Sequence, residues 1–187
     1  MTFPLRLGSA LAICFAASAS AAPAGWKTYT QKGLGWSIAY PASFVVDDKH
    51  ASPSPLPDQT IAGVAFEIPE SMTTGTNLGS GDTGVIVESL PGRDCKPSQF
   101  VDPADAVRPL KADGRTYTMA GSEDAGAGNL YETRIFVVNG TSPCIAVRYL
   151  VHSTNIANYD PGTVKAFDEK KLTALFDGIR ATLTLTK

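Results

Sequence analysis

Between Leu130 and Ser153, apolar and polar residues alternate more regularly than anywhere else in the chain. Tyr131, Thr133, Ile135 and Val137 fall on one face of a first run. Ile145, Val147, Tyr149 and Val151 fall on one face of a second. The period of two, with β-branched and aromatic side chains, predicts strands over Leu130–Val138 and Cys144–His152. The link Asn139-Gly140-Thr141-Ser142-Pro143 allows two registers. A tight turn at Asn139-Gly140 pairs Val138 with Thr141 and sets Glu132 and Arg134 beside Val147 and Ile145. A longer loop ending at Pro143 pairs Val138 with Cys144 and aligns the two apolar faces. One residue of slip exchanges the faces, so apolar matching favours the longer loop. The second face then holds Leu130, Glu132, Arg134, Phe136 and Val138 against Cys144, Ala146, Arg148, Leu150 and His152.

The same pattern predicts the other elements. Trp26–Thr30 and Trp36–Tyr40 read as a hairpin turning at Lys32-Gly33-Leu34-Gly35, and Pro41 ends the second strand. Asp47–Gln59, rich in Asp, Ser and Pro, reads as a long exposed loop. Ile61–Ile68 and Thr83–Leu90 are strands flanking an irregular Ser71–Thr83. Pro91–Asp105 holds Cys95 and a short helical turn near Ser98–Val101. Val107–Ala112 and Arg115–Ser122 form a hairpin around Asp113-Gly114, and Glu123–Asn129 is a flexible glycine-rich lead into the next strand. Asp168 N-caps a closing helix whose stripe Leu172, Leu175, Phe176, Ile179, Leu183 has helical spacing and packs on the sheet.

Residues 1–21 have the form of an export signal. Arg6 supplies the positive start, Leu7–Ala17 the apolar run, and Ala19-Ser20-Ala21 the small residues before a cut after Ala21. The run is too short for a membrane-spanning helix. Leu11-Ala12-Ile13-Cys14 resembles a lipobox, but Ile13 is a poor residue before a lipidated cysteine, so a signal peptide is preferred to a lipid anchor. The remaining residues 22–187 suit a single domain burying about 70% of its unfolded surface. The full chain carries 16 basic and 18 acidic residues. Loss of Arg6 leaves a net charge of about −3, with no Lys/Arg-rich run, which excludes nucleic acid as a partner. Export also makes Cys95 and Cys144 the only remaining cysteines, and an oxidising compartment favours a disulfide between them. Closing that loop contributes about 4 kcal/mol on the chain-entropy model.

Thr28-Tyr29-Thr30 through Gly35-Trp36-Ser37-Ile38-Ala39-Tyr40-Pro41-Ala42-Ser43-Phe44 resembles the opening of PsbP/Mog1-like domains. Leu172–Leu183 resembles their closing helix with its apolar tail. The resemblance implies an α+β fold, an α/β/α sandwich with a central antiparallel sheet and helices on both faces, over residues 22–187. Tyr131-Glu132 and Cys144–Tyr149 also resemble strands of uncharacterised exported bacterial proteins. Neither resemblance implies a catalytic residue.

Catalytic patterns are sparse. His152 and Ser153 are strand neighbours and point to opposite faces, so they do not form a nucleophile–base pair together. G-x-S-x-G, S-x-x-K, H-E-x-x-H and P-loop patterns are absent from the sequence. Gly126-Ala127-Gly128 precedes a strand rather than a helix, and Asp124 with Asn129 lacks EF-hand spacing. No metal or cofactor is implied. The strongest binding cluster is Glu132, Arg134, Arg148 and His152, with Arg134 opposite Arg148 and Glu132 on the diagonal. Two opposed guanidiniums need neutralising, by Glu132 in a structural network or by an anionic ligand with carboxylate or phosphate groups. The expectation is an exported, non-catalytic binding or accessory module of the bacterial envelope, periplasmic or secreted. Its partner would be a small anion or an envelope protein. The competing class is an envelope-acting hydrolase with acids and His152 assembled from distant loops, a reading that His152 bonded to a carboxylate beside a deep cleft would favour.

Overall fold

The computed structural model describes residues 22–102 and 106–186. The expected export signal, residues 1–21 with Cys14, lies outside the described residues. The first hairpin forms as its alternation requires: β1 (Trp26–Gln31) pairs antiparallel with β2 (Trp36–Pro41). Gly35, at φ +66, supplies the left-handed residue of its turn. The short β11 (Thr184–Leu185) adds to β2, giving a three-stranded sheet.

The larger sheet has eight antiparallel strands. They are β3 (Val45–Asp47), β4 (Ala51–Pro53), β5 (Thr60–Glu67), β6 (Gly84–Leu90), β7 (Arg108–Ala112), β8 (Arg115–Gly126), β9 (Asn129–Val138) and β10 (Cys144–Thr154). Their order is β3-β5-β6-β10-β9-β8-β7, with β4 also on β5. The stretch Asp47–Gln59 is therefore not wholly a loop, because Ala51–Pro53 pairs with β5. Glu123–Gly126 is not a flexible lead either. It extends β8, and Ala127-Gly128, at φ +50 and +83, makes a two-residue turn into β9.

One α-helix, α1 (Glu169–Ala181), is present among the described residues, and Asp168 caps it through Lys171 N–H at 3.0 Å. Leu172, Phe176 and Ile179 of α1, with Leu183 beyond it, bury against the large sheet, together with Trp36, Ile38 and Tyr40 of the small sheet. The opposite face is covered by the segment Pro91–Val101. There Ile61, Leu90, Phe100, Val101, Ala120, Ile135, Val137 and Ala146 form a second core. Helices do not flank both faces as in the expected sandwich. Pro91–Val101 has no helical apolar period, and it condenses only into one 3₁₀ turn at Pro97–Gln99. The Cys95–Cys144 disulfide fastens this cover to β10.

The double covering also explains a register different from the one expected. Ala146 stands opposite Val137, Arg148 opposite Ile135, and Tyr149 opposite Arg134. The pairing is one residue away from the one that aligns the two apolar faces. Thr141 sets the loop, its Oγ1 donating to Val138 O at 3.1 Å and accepting from Ile145 N at 3.0 Å. A strand buried on both faces gains from either orientation, so alternation alone does not choose between them.

Candidate functional site

The register divides the expected cluster between the two faces of the sheet. Glu132 and Arg134 stand with Tyr149 and Val151 on the face covered by α1. Arg148 and His152 stand on the other. Arg134 Nη2 donates to Glu169 Oε1 at 2.9 Å and lies 3.7 Å from Glu132 Oε2. Burial, followed by the charge of Glu169, raises the Glu132 carboxyl above its ordinary range, and Arg134 pulls it back.

Arg148 is buried. Its Nε donates to Glu88 Oε1 at 2.9 Å, and its Nη2 donates to the carbonyl of Phe100 in the covering segment. Glu88 is fully buried, and its Oε2 has no partner. The charge that neutralises Arg148 thus comes from β6 and not from Glu132. Arg148 acts as a post under the cover, tying sheet to loop.

His152 lies at the far end of β10. Its Nδ1 bonds Asp82 Oδ1 at 2.8 Å and its Nε2 bonds Asn129 Oδ1 at 3.1 Å. The ring stacks on Tyr131, the residue opposite it in β9, with centroids 4.6 Å apart. Asp82 comes from the irregular stretch before β6 and also lines a cleft of about 200 Å³ with His50 and Glu67. Burial, then Asp47, raises the Glu67 carboxyl, Asp82 adding to the rise while His50 opposes it. A carboxylate therefore orients His152 beside a cleft, but both ring nitrogens are engaged within the protein. A general base needs a ring nitrogen open to the proton it takes.

The exposed side of Arg134 borders a different cleft, of about 340 Å³, shared with Arg108, Met119 and Gly121. Arg134 and Gly121 are cross-strand partners, as are Arg108 and Met119. Lacking a side chain, Gly121 leaves the floor low between the two guanidinium-bearing strands. This arrangement suits an anion better than the expected Arg134–Arg148 pair, whose members face opposite ways.

Sequence reasoning missed Asp82, which lies in a loop without period, and did not connect Asn129, the first residue of β9, with His152. It also missed Arg180. That side chain is buried on α1, with Nε bonded to Asp113 Oδ2 at 3.0 Å, Nη1 3.1 Å from Asp177 Oδ1, and its guanidinium 4.4 Å from the Phe136 ring centroid. Tyr149 donates to the same Asp177 at 2.9 Å, and its burial pushes the phenol far above its ordinary range. The available signal was spacing: Arg180 follows Leu172 and Phe176 at helical intervals of four, on the buried stripe. Among the described residues, no group of three or more His, Cys, Asp and Glu is arranged to hold a metal ion, and no helix is long and apolar enough to cross a membrane.

No family model matches the chain, and no curated protein matches it significantly. Solved structures do. A protein of Bacteroides thetaiotaomicron VPI-5482 aligns with a TM-score of 0.49 at 12% identity, over 87% of this chain. The match spans 49% of the Bacteroides chain, about half its length. Cyanobacterial PsbP (CyanoP) from Synechocystis sp. PCC 6803 aligns with a TM-score of 0.47 at 13% identity, over 91% of this chain and 98% of its own. The chain is thus similar, at low identity, to a PsbP protein along nearly the whole length of both.

Proposed function

We propose that the chain is an exported, non-catalytic binding or accessory module of the bacterial cell envelope, periplasmic or secreted, with PsbP/Mog1-like architecture. The observation that carries this reading is the double engagement of His152, by Asp82 and Asn129, which leaves the histidine a structural clasp. The leader-like start of the sequence and the Cys95–Cys144 disulfide support export. The binding part of the reading falls on Arg134, now with Arg108 in place of Arg148, and its ligand is a small anion.

A thermal-shift screen with phosphate, sulfate and citrate tests the proposal. The expected result is stabilisation of the wild type that shrinks in Arg134→Ala and in Arg108→Ala. Equal shifts in all three proteins would remove the site. Crosslinking in the native envelope tests the other partner class, a specific envelope protein.

The second reading, an envelope-acting hydrolase, is favoured by one contact, Asp82 to His152 beside the 200 Å³ cleft. It requires Asn129 to release Nε2. Asn129→Ala would then raise any hydrolytic activity on envelope extracts rather than leave it unchanged.

A further inference from the structure

Of the asparagines in the chain, only Asn139 is followed by glycine. Asn77, Asn129, Asn155 and Asn158 precede Leu78, Leu130, Ile156 and Tyr159, whose side chains crowd the backbone amide that follows the asparagine. Asn77 is also buried. Asn139 and Gly140 stand in the link between β9 and β10, and both are exposed. Gly140, at φ +78, has open space where a side chain would stand.

Hydrogen bonds hold one side of this dipeptide and leave the other free. Asn139 N–H donates to the Thr116 carbonyl at 3.1 Å, which continues the β8–β9 pairing past Val138. Thr118 Oγ1 donates to Asn139 Oδ1 at 2.9 Å. The Gly140 N–H, by contrast, has no backbone acceptor among the described residues. A held and polarised amide carbon therefore stands one residue before an uncrowded amide nitrogen. Attack between groups joined in this way needs no collision, which raises their effective concentration.

We propose that Asn139 is a site of spontaneous deamidation, with water consumed and ammonia released. A base in the solvent takes the Gly140 amide proton, and the nitrogen pair attacks Asn139 Cγ. The new N–Cγ bond forms as the carbonyl π pair moves onto Oδ1, where the Thr118 hydroxyl meets the developing charge. On collapse the Cγ–Nδ2 bond breaks, and Nδ2 takes up a proton and leaves as ammonia. Water then opens the cyclic imide. Attack at Cγ gives aspartate. Attack at the main-chain carbonyl gives isoaspartate, in which the chain runs through Cγ. Either product puts a carboxylate beside Thr118, and isoaspartate lengthens the link that Thr141 fastens at both ends. The site is separate from the Arg108–Arg134 cleft and does not depend on the function proposed there.

The test incubates the purified protein at mildly alkaline pH in ¹⁸O-water, digests it in ordinary water and maps the peptides by mass spectrometry. The peptide holding residue 139 is expected to take up ¹⁸O and to split into two chromatographic species of equal mass, aspartyl and isoaspartyl. The other asparagines stay unlabelled. Thr118→Val slows the uptake about fivefold, the equivalent of one net hydrogen bond, and Thr118→Ala replaces it should that variant not fold. No ¹⁸O at residue 139, uptake spread evenly over the asparagines, or an aspartyl product without isoaspartate overturns the proposal. Uptake at the wild-type rate in the Thr118 variants overturns the part given to Thr118.

Discussion

Arg148 meets Glu88, not Arg134: its Nε lies 2.9 Å from Glu88 Oε1, across β10 and β6, inside the second core. Removing one member strands the other as a buried, unpaired charge. Arg148→Ala is therefore expected to destabilise by about 3–5 kcal/mol. Replacing both by apolar residues, as in Arg148→Met with Glu88→Leu, should recover most of that loss. It also removes the orphaned Glu88 Oε2, itself a cost of about 1–3 kcal/mol. Urea unfolding of the single and double variants measures both. A single variant as stable as wild type would contradict the pairing.

The Cys95–Cys144 bridge closes a loop across 49 positions and holds the cover over Phe100, Val101 and Ile135. A Cys95→Ala/Cys144→Ala variant is expected to lose about 4 kcal/mol. Hydrogen exchange should rise first in residues 91–101, the part that loses its anchor. Intact mass with and without reductant checks the bridge in protein purified from its own host.

Glu67 gives a pH signature with a defined sign. Its carboxyl is raised above the ordinary value of 4.5, by burial first and then by Asp47. The folded state therefore prefers the protonated acid. The corresponding stability is fully present below the unfolded pKa and is lost as pH rises through the raised folded value. Glu67→Gln should stabilise at neutral pH, by less than about 1 kcal/mol because the site is partly solvated. The gain should vanish at pH values below the carboxylate range, where wild type is also neutral. Urea midpoints at the two pH values test this, and a loss of stability at neutral pH would reverse the sign and refute it.

Ile179 is fully buried between α1 and the large sheet. Ile179→Asp places an unpaired charge there and is expected to prevent soluble folding. A normal melting curve for the purified variant would remove α1 from the core.

Local patterns were legible because they depend on neighbours in sequence. The hairpin from Trp26 to Pro41 and the Asp168 cap followed from period, turn residues and capping chemistry. So did the strands now seen as β5, β6, β9 and β10. The Cys95–Cys144 pairing followed from elimination once an export signal was read. The candidate site was only half legible. Each of Glu132, Arg134, Arg148 and His152 is in its expected strand, but their grouping hung on a register that alternation does not decide when both faces are buried.

By itself, the sequence determined most of the long strands, where the helix Glu169–Ala181 starts, and which cysteines are available to each other. These are properties of short windows, set by backbone preference and apolar spacing. Only the tertiary structure decided that Arg134 turns toward Glu169 and Arg148 toward Glu88. It alone brought Asp82 and Asn129 to the two nitrogens of His152. Each of these joins residues distant in the chain, and each depends on strand register and on what covers each face, which no local pattern encodes.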